Sequence, residues 1–170
     1  MEQIDIDEMD LRLLNQLQLD ASLTNIELAE CAHTSPPTCL RRVKRLREAG
    51  LIERQIAVLS PDKLAPVLGH GLCAIVEITL DRQGAELLDA FERRVAGEPL
   101  VQQCYRVSPG PDFVLVVHTL DMPDYLNLAQ RLFTSDANVR NVKAFFSIKR
   151  SKFGASLPMQ RRRPQAAASG

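Results

Sequence analysis

The sequence predicts an α+β protein in two parts, an N-terminal winged helix-turn-helix domain and a C-terminal ferredoxin-like βαββαβ domain. Three observations carry this expectation. Residues 35–50, SPPTCLRRVKRLREAG, open with a helix-start signal, hold five cations within seven positions and close on a glycine. A second short stretch with its own helix-start signal lies immediately upstream. Beyond Gly69, apolar runs and helical stripes follow in the order strand, helix, strand, strand, helix, strand.

At 170 residues, with 45% apolar and 25% charged residues, the chain has the composition of a folded globular protein and room for two small domains. It has no tryptophan and few aromatics, which disfavours nucleic-acid binding by base stacking. The zero net charge hides an uneven distribution. Residues 1–32 carry eight acids against Arg12, whereas residues 33–54 carry six bases against Glu48 and Glu53. Phosphate attraction acts within a Debye length of about 8 Å at physiological salt, so the local excess is what a polyanion meets. The four cysteines, Cys31, Cys39, Cys73 and Cys104, form no CxxC pair and read as reduced core residues. Cys31, His33 and Cys39 lack a fourth ligand at usable spacing, so no metal site is expected. No secretory signal or membrane-length apolar run is visible, which points to a cytoplasmic protein without membrane partners.

In the first helix Asp7 is the cap, Asp10 lies in the first turn, and Leu11, Leu14 and Leu17 form the stripe with Leu13 beside it. In the second, Thr24 and Glu27 make a capping box and Leu23 with Leu28 a hydrophobic staple. Ile26, Leu28 and Ala29 give it a core side, and it runs to about Ala32. His33 and Thr34 fill a tight connection. Ser35 is then an N-cap and Pro36 suits the first helical position, where its missing N–H has no intrahelical partner. Leu40, Val43 and Leu46 recur at three-residue steps and read as the buried face of this third helix.

Two short helices joined by a tight turn, the second cationic, match helix-turn-helix geometry, in which the second helix enters the major groove of double-stranded DNA. Ser35, Pro37, Thr38, Arg41, Arg42 and Arg45 are the expected groove-facing set. Arg41 or Arg42 suits bidentate bonds to guanine O6 and N7, while Lys44 and Arg47 suit phosphates. Gly50 ends the helix. Residues 51–60, LIERQIAVLS, alternate in part and read as a wing strand. Pro61, Pro66 and Gly69 mark a linker over residues 61–70.

The second domain is expected over residues 71–153. Residues 72–80 read as a strand with Val76, Ile78 and Leu80 on one face. Residues 84–96 read as a helix with its stripe at Leu87 or Leu88, Phe91 and Val95. A strand over 101–107, a turn forced by Pro109, Gly110 and Pro111, and a near-continuous apolar strand over 113–120 follow. Asp121 caps a helix with Tyr125, Leu128 or Ala129, and Leu132 inward, and residues 139–149 close as a strand. Two helices cover one sheet face, so the apolar residues on the other, as in FVLVV at 113–117, predict a homodimer or larger assembly. The tail, residues 154–170, is rich in Arg, Pro, Ala and Gln and is expected to lack fixed structure. Arg161, Arg162 and Arg163 within it read as a solvated run or as phosphate contacts.

The segments IDEMDLRLLNQLQLDASLTNIELAE, SPPTCLRRVKRLREAGLIERQIAVLSPDKL, AIVEITL and YRVSPGPDF, taken in order, resemble the Lrp/AsnC family of transcriptional regulators. The resemblance runs from about Ile6 to Phe153. It implies a DNA-binding domain over residues 1–60 and a second domain that dimerises and binds a small amino-acid effector. It also implies assembly of dimers into octamers or similar discs. In the family a Gly-Asp-aromatic-Asp-aromatic motif precedes the third sheet strand near a subunit interface. Here Asp112 and Phe113 match its end, while Pro109 and Gly110 stand where its Gly-Asp pair would be. The resemblance places effector contacts at Gly110, Asp112 and Phe113, with Thr134, Ser135 and Asp136 close by. The alternative is a plain hairpin turn in which Asp112 satisfies local backbone N–H groups. A branched-chain amino acid is the first effector implied, and no other cofactor is.

Two other function classes are weighed against a regulator of amino-acid metabolism. Some proteins similar in fold act on tetrapyrroles as sirohaem decarboxylases. Here the histidines are only His33, His70 and His118, and no nucleophile-base pair, phosphate loop or carboxylate cluster is visible, so no catalytic residue is expected. A ligand-binding module without DNA function leaves the cationic helix unexplained.

Overall fold

The computed structural model describes residues 5–69 and 71–159. The chain forms two compact units, one comprising the described residues up to Val58 with the segment from Lys152, the other Leu59–Ser151.

The first unit is built on three helices, α1 (Glu8–Leu19), α2 (Asn25–Cys31) and α3 (Pro36–Glu48). Local chemistry sets their starts. Asp7 caps α1 in a reciprocal box with Asp10, and Thr24 does the same for α2 with Glu27. Ser35 has the extended backbone of an N-cap and Pro36 takes the first position of α3, but the Ser35 hydroxyl donates to Thr38 Oγ1 at 2.9 Å instead of capping a backbone N–H. Both α2 and α3 end in a left-handed residue whose flanking N–H groups reach back to the last turn. For α3 this residue is Gly50, at φ 72°. For α2 it is His33, at φ 55°, with the Thr34 N–H on Ala29 O at 2.9 Å.

Leu13, Leu28, Ala29, Ala32 and Cys39 form the buried core of this unit, with Met9, Leu17, Leu23 and Val43 packed on it. Cys39, not Leu40, is the inward residue of α3. The buried stripe is Cys39, Val43 and Leu46, the 3.6-residue repeat, and it turns Leu40 outward to 62% exposure. Ile26 is likewise exposed rather than in the core. Residues 53–60 form no strand. Ile56 and Val58 are exposed, and no neighbouring strand among the described residues satisfies the backbone there. Residues 154–159 have no regular structure, yet the Leu157 main chain exchanges two 2.8 Å hydrogen bonds with the Gln18 side chain. Arg161, Arg162 and Arg163 lie outside the described residues.

The second unit begins with a helix where a linker was expected. Residues Pro61–Leu68 form α4, with Pro61 at the first position and Pro66 inside, where it forgoes one backbone bond. There follow β1 (Leu72–Leu80), α5 (Ala85–Ala96), β2 (Val101–Arg106), β3 (Phe113–Thr119), α6 (Met122–Ala129) and β4 (Val139–Phe146). The strands make one antiparallel sheet in the order β2-β3-β1-β4, the ferredoxin-like arrangement. Alternation puts Ala74, Val76, Ile78 and Leu80 of β1 and Phe113, Leu115 and Val117 of β3 in the core. Phe91 and Val95 of α5 and Tyr125 and Leu128 of α6 pack on them, Phe91 stacking on Phe113 at 4.7 Å between centroids.

Asp121 caps α6, and the helix widens into a π-helical turn, Gln130–Thr134, closed by the Ser135 N–H on Gln130 O. The wider turn lets the consecutive residues Leu132 and Phe133 both enter the core. The opposite sheet face stays open, with Ile75, Tyr105 and Phe145 between 44% and 53% exposed and Ile75 directly beside Phe145 in the ladder.

Candidate nucleic-acid interface

Two surfaces divide the charged residues of α3. The outward stripe is Pro37, Leu40, Arg41 and Lys44, spaced i, i+3, i+4, i+7, and all four are exposed. The Arg41 side chain makes no ion pair or hydrogen bond with another described residue. Lys44 pairs loosely with Glu48 at 3.7 Å, both ends well solvated. Arg47 is exposed and reaches Gln55 at 3.4 Å. Thr38 is half-buried and Ser35 exposed at the start of the helix.

The other surface faces α1. Arg42 is only 24% exposed in its side chain and donates from Nη1 to Asp7 at 2.7 Å and to Asp10 at 2.9 Å. Arg45 also pairs with Asp10, whose side chain is fully buried. The expectation that Arg42 faces the groove therefore gives way to a different placement. One turn below Cys39 and beside Val43, it falls on the packed side of the helix, where two carboxylates accept from its Nη1 while its buried Nε has no partner among the described residues. Arg45 stands at the margin, half-exposed but turned to the same carboxylate. A shallow depression of about 330 Å³ between these surfaces is lined by Asp5, Asp7, Arg41, Arg42 and Arg45.

The electrostatics follow from this geometry. The Asp10 N–H, then the Arg42 guanidinium, hold Asp7 down from its ordinary 3.8 to about 2. Its hydrogen bonds to Asp7, then Asp10, push Arg42 further up, so it stays charged. The Asn25 amide donates to Pro36 O at 2.9 Å and fixes α2 against the start of α3. Cys31 is exposed and Cys39 is buried in the core.

The sequence-predicted effector residues gather at one end of the sheet, because Ile78 pairs with Phe113 and Leu80 with Val139. Their chemistry there is largely committed. Asp112 accepts from the Leu80 N–H at 2.7 Å, and its own N–H donates to Ile78 O at 2.9 Å. Phe113 is fully buried in the core. Gly110, at φ 124°, supplies a left-handed turn between the strands. Asp136 pairs with Arg94 and accepts from the Asn138 N–H, while the Ser135 hydroxyl donates to Gln130 O. Thr134 is exposed. Sequence reasoning missed Arg94, and it missed Asp7 and Asp10 as partners of α3. Both sets of contacts join residues more than thirty positions apart.

Comparison with known proteins agrees with both units. Residues 6–53 match the family model described as winged helix-turn-helix DNA-binding, and residues 73–157 match that of the Lrp/AsnC ligand binding domain. An uncharacterised HTH-type transcriptional regulator of Haemophilus influenzae is 35% identical over 83% of this chain and 82% of its own. The leucine-responsive regulatory protein of Rhizobium meliloti is 35% identical over 88% of this chain and 93% of its own. The crystal structure of a Neisseria meningitidis transcriptional regulator in complex with L-Met superposes with a TM-score of 0.77 at 30% identity, covering 91% of this chain and 97% of the other. The relatives are regulators of transcription rather than enzymes. With a helix-turn-helix unit and a ligand-binding domain matched in order along one chain, the protein belongs to the Lrp/AsnC family of transcriptional regulators.

Proposed function

We propose that the protein reads duplex DNA with the outward side of α3 and that an amino-acid-like effector adjusts this binding. The observation that carries the proposal is Arg41, a guanidinium without a partner among the described residues, in the middle of an exposed helix stripe with Lys44 one turn on. A guanidinium so presented suits the bidentate acceptor pair of guanine. Ser35, Pro37 and Thr38 approach the bases from the start of the helix, and Lys44 and Arg47 serve phosphates. Arg42 and Arg45 hold α3 on α1, with Arg45 near enough to the surface to add a phosphate contact.

The effector is proposed to lie at the end of the sheet, against Gly110, Thr134 and Ser135, with Asp112, Phe113 and Asp136 shaping the floor of the site. The L-Met complex of the Neisseria regulator supports an amino acid as its class. Branched-chain amino acids are the first to try, which ties the regulator to amino-acid metabolism. The exposed apolar sheet face around Ile75 and Phe145 supports a homodimer, and linked dimers, up to an octamer, gain tight binding from neighbouring half-sites at high effective concentration. The site of action is the cytoplasm, where the DNA is.

The test is a mobility shift of the DNA upstream of the protein's own and neighbouring genes, with excess competitor and a panel of amino acids. A specific shift altered by one amino acid is expected. A specific shift indifferent to every amino acid would remove the effector from the proposal, and no specific shift would remove the DNA reading.

A further inference from the structure

Leu40 is the residue of α3 whose placement the helix-turn-helix reading does not use. It is 62% exposed, one position beyond the core residue Cys39 and therefore about 100° round the helix from it. Single exposed leucines are ordinary on protein surfaces. Leu40 differs in its setting. It shares the outward stripe with Pro37, Arg41 and Lys44, among cations that draw a polyanion onto the surface.

The major-groove edges of the four base pairs present donors, acceptors and one apolar group, the 5-methyl of thymine. A branched aliphatic side chain has no other partner there. We infer that Leu40 is a specificity-determining residue, packing on a thymine methyl beside the base pair read by Arg41. The inference rests on the proposed DNA-reading role of α3. Consecutive Cα atoms are about 3.8 Å apart and stacked bases about 3.4 Å apart, so the thymine lies within one or two base pairs of the guanine. Leu40 and Arg41 together thus read a short mixed step, one base by hydrogen bonds and the other by shape.

The experiment uses the full chain and duplexes selected with it from a random library. Each thymine of the selected site is then replaced singly by uracil, which removes the methyl and keeps the pairing. For the parent protein, one uracil per half-site is expected to weaken binding about four-fold, the worth of one buried methyl group. Leu40→Ala is expected to bind the thymine duplex at least that much more weakly, to lose the discrimination between thymine and uracil, and to melt at the parent temperature. Leu40→Met, which keeps an apolar reach, retains the discrimination. A Leu40→Ala protein that binds as the parent does, or still discriminates thymine from uracil, overturns the inference. If Arg41→Ala loses binding in the same assay, only the Leu40 role falls. If no duplex is enriched, or Arg41→Ala is indifferent, the DNA-reading role of α3 falls with it.

Discussion

Asp10 of α1 is fully buried and is bound by Arg42 of α3, which donates to it at 2.9 Å from a position 32 residues along the chain. The same carboxylate accepts from the Asp7 N–H and pairs with Arg45. One side chain thus closes the cap of α1 and fixes the orientation of α3. Two of the five cations that give α3 its basic character are engaged by this carboxylate, Arg42 largely buried and Arg45 half-exposed, while Arg41, Lys44 and Arg47 face outward.

Asp10→Ala leaves the Arg42 guanidinium half-buried with one carboxylate and removes a capping acceptor. Breaking such a pair is expected to cost about 2–3 kcal/mol, below the full cost of a buried pair because Arg45 is half-exposed and Arg42 keeps Asp7. Arg41→Ala, on the solvated stripe, is expected to stay within about 0.5 kcal/mol of the parent. Urea titrations of both variants check this, and equal midpoints for the two would contradict the assignment.

Asp7 gives the unit an acid-sensitive start. Its folded-state value, about 2, lies below its ordinary 3.8. A carboxylate held down in this way contributes stability that is complete above the unfolded value and is lost as pH falls through the folded one. The urea midpoint of the parent is expected to drop between about pH 5 and about pH 2, and that of Asp7→Asn, which keeps a good N-cap, to drop less. Parallel curves for the two proteins would exclude Asp7 as a source of the slope.

His33 holds the turn between α2 and α3 at φ 55°, a conformation an L-residue adopts at a cost. His33→Gly is expected to be at least as stable as the parent, and the β-branched His33→Val about 1 kcal/mol less stable. Thermal melts would show it, and a His33→Gly protein that melts well below the parent would mean that the imidazole makes a contact of its own.

The open sheet face is expected to be the surface on which two copies meet. Phe145→Glu, placing a charge beside Ile75, is expected to lower the mass seen by light scattering toward that of one chain. A parent protein that already has the mass of one chain would refute the proposed dimer.

What the sequence revealed was mostly short-range chemistry. The capping boxes at Asp7/Asp10 and Thr24/Glu27 each span three residues, and the alternation of β1 is contained within nine. What escaped it depended on partners elsewhere. Residues 51–60 alternate as a strand does, but no partner strand among the described residues satisfies their backbone. The two prolines of α4 hid a helix, although Pro61 at the first position is compatible with one. Counting by threes put Leu40 inward, where the 3.6-residue repeat selects Cys39. At the proposed effector end, a bond from Asp112 to a backbone N–H was legible as the alternative, but not that the donor is Leu80, 32 positions away, nor that Phe113 is core.

The most direct measurement is the affinity of the full-length Arg41→Ala protein for a selected duplex and for random competitor, beside the parent at one salt concentration. The preference for the selected duplex is expected to fall about ten-fold or more, with the melting temperature unchanged. A preference equal to that of the parent would mean that the outward stripe of α3 does not read the bases through Arg41.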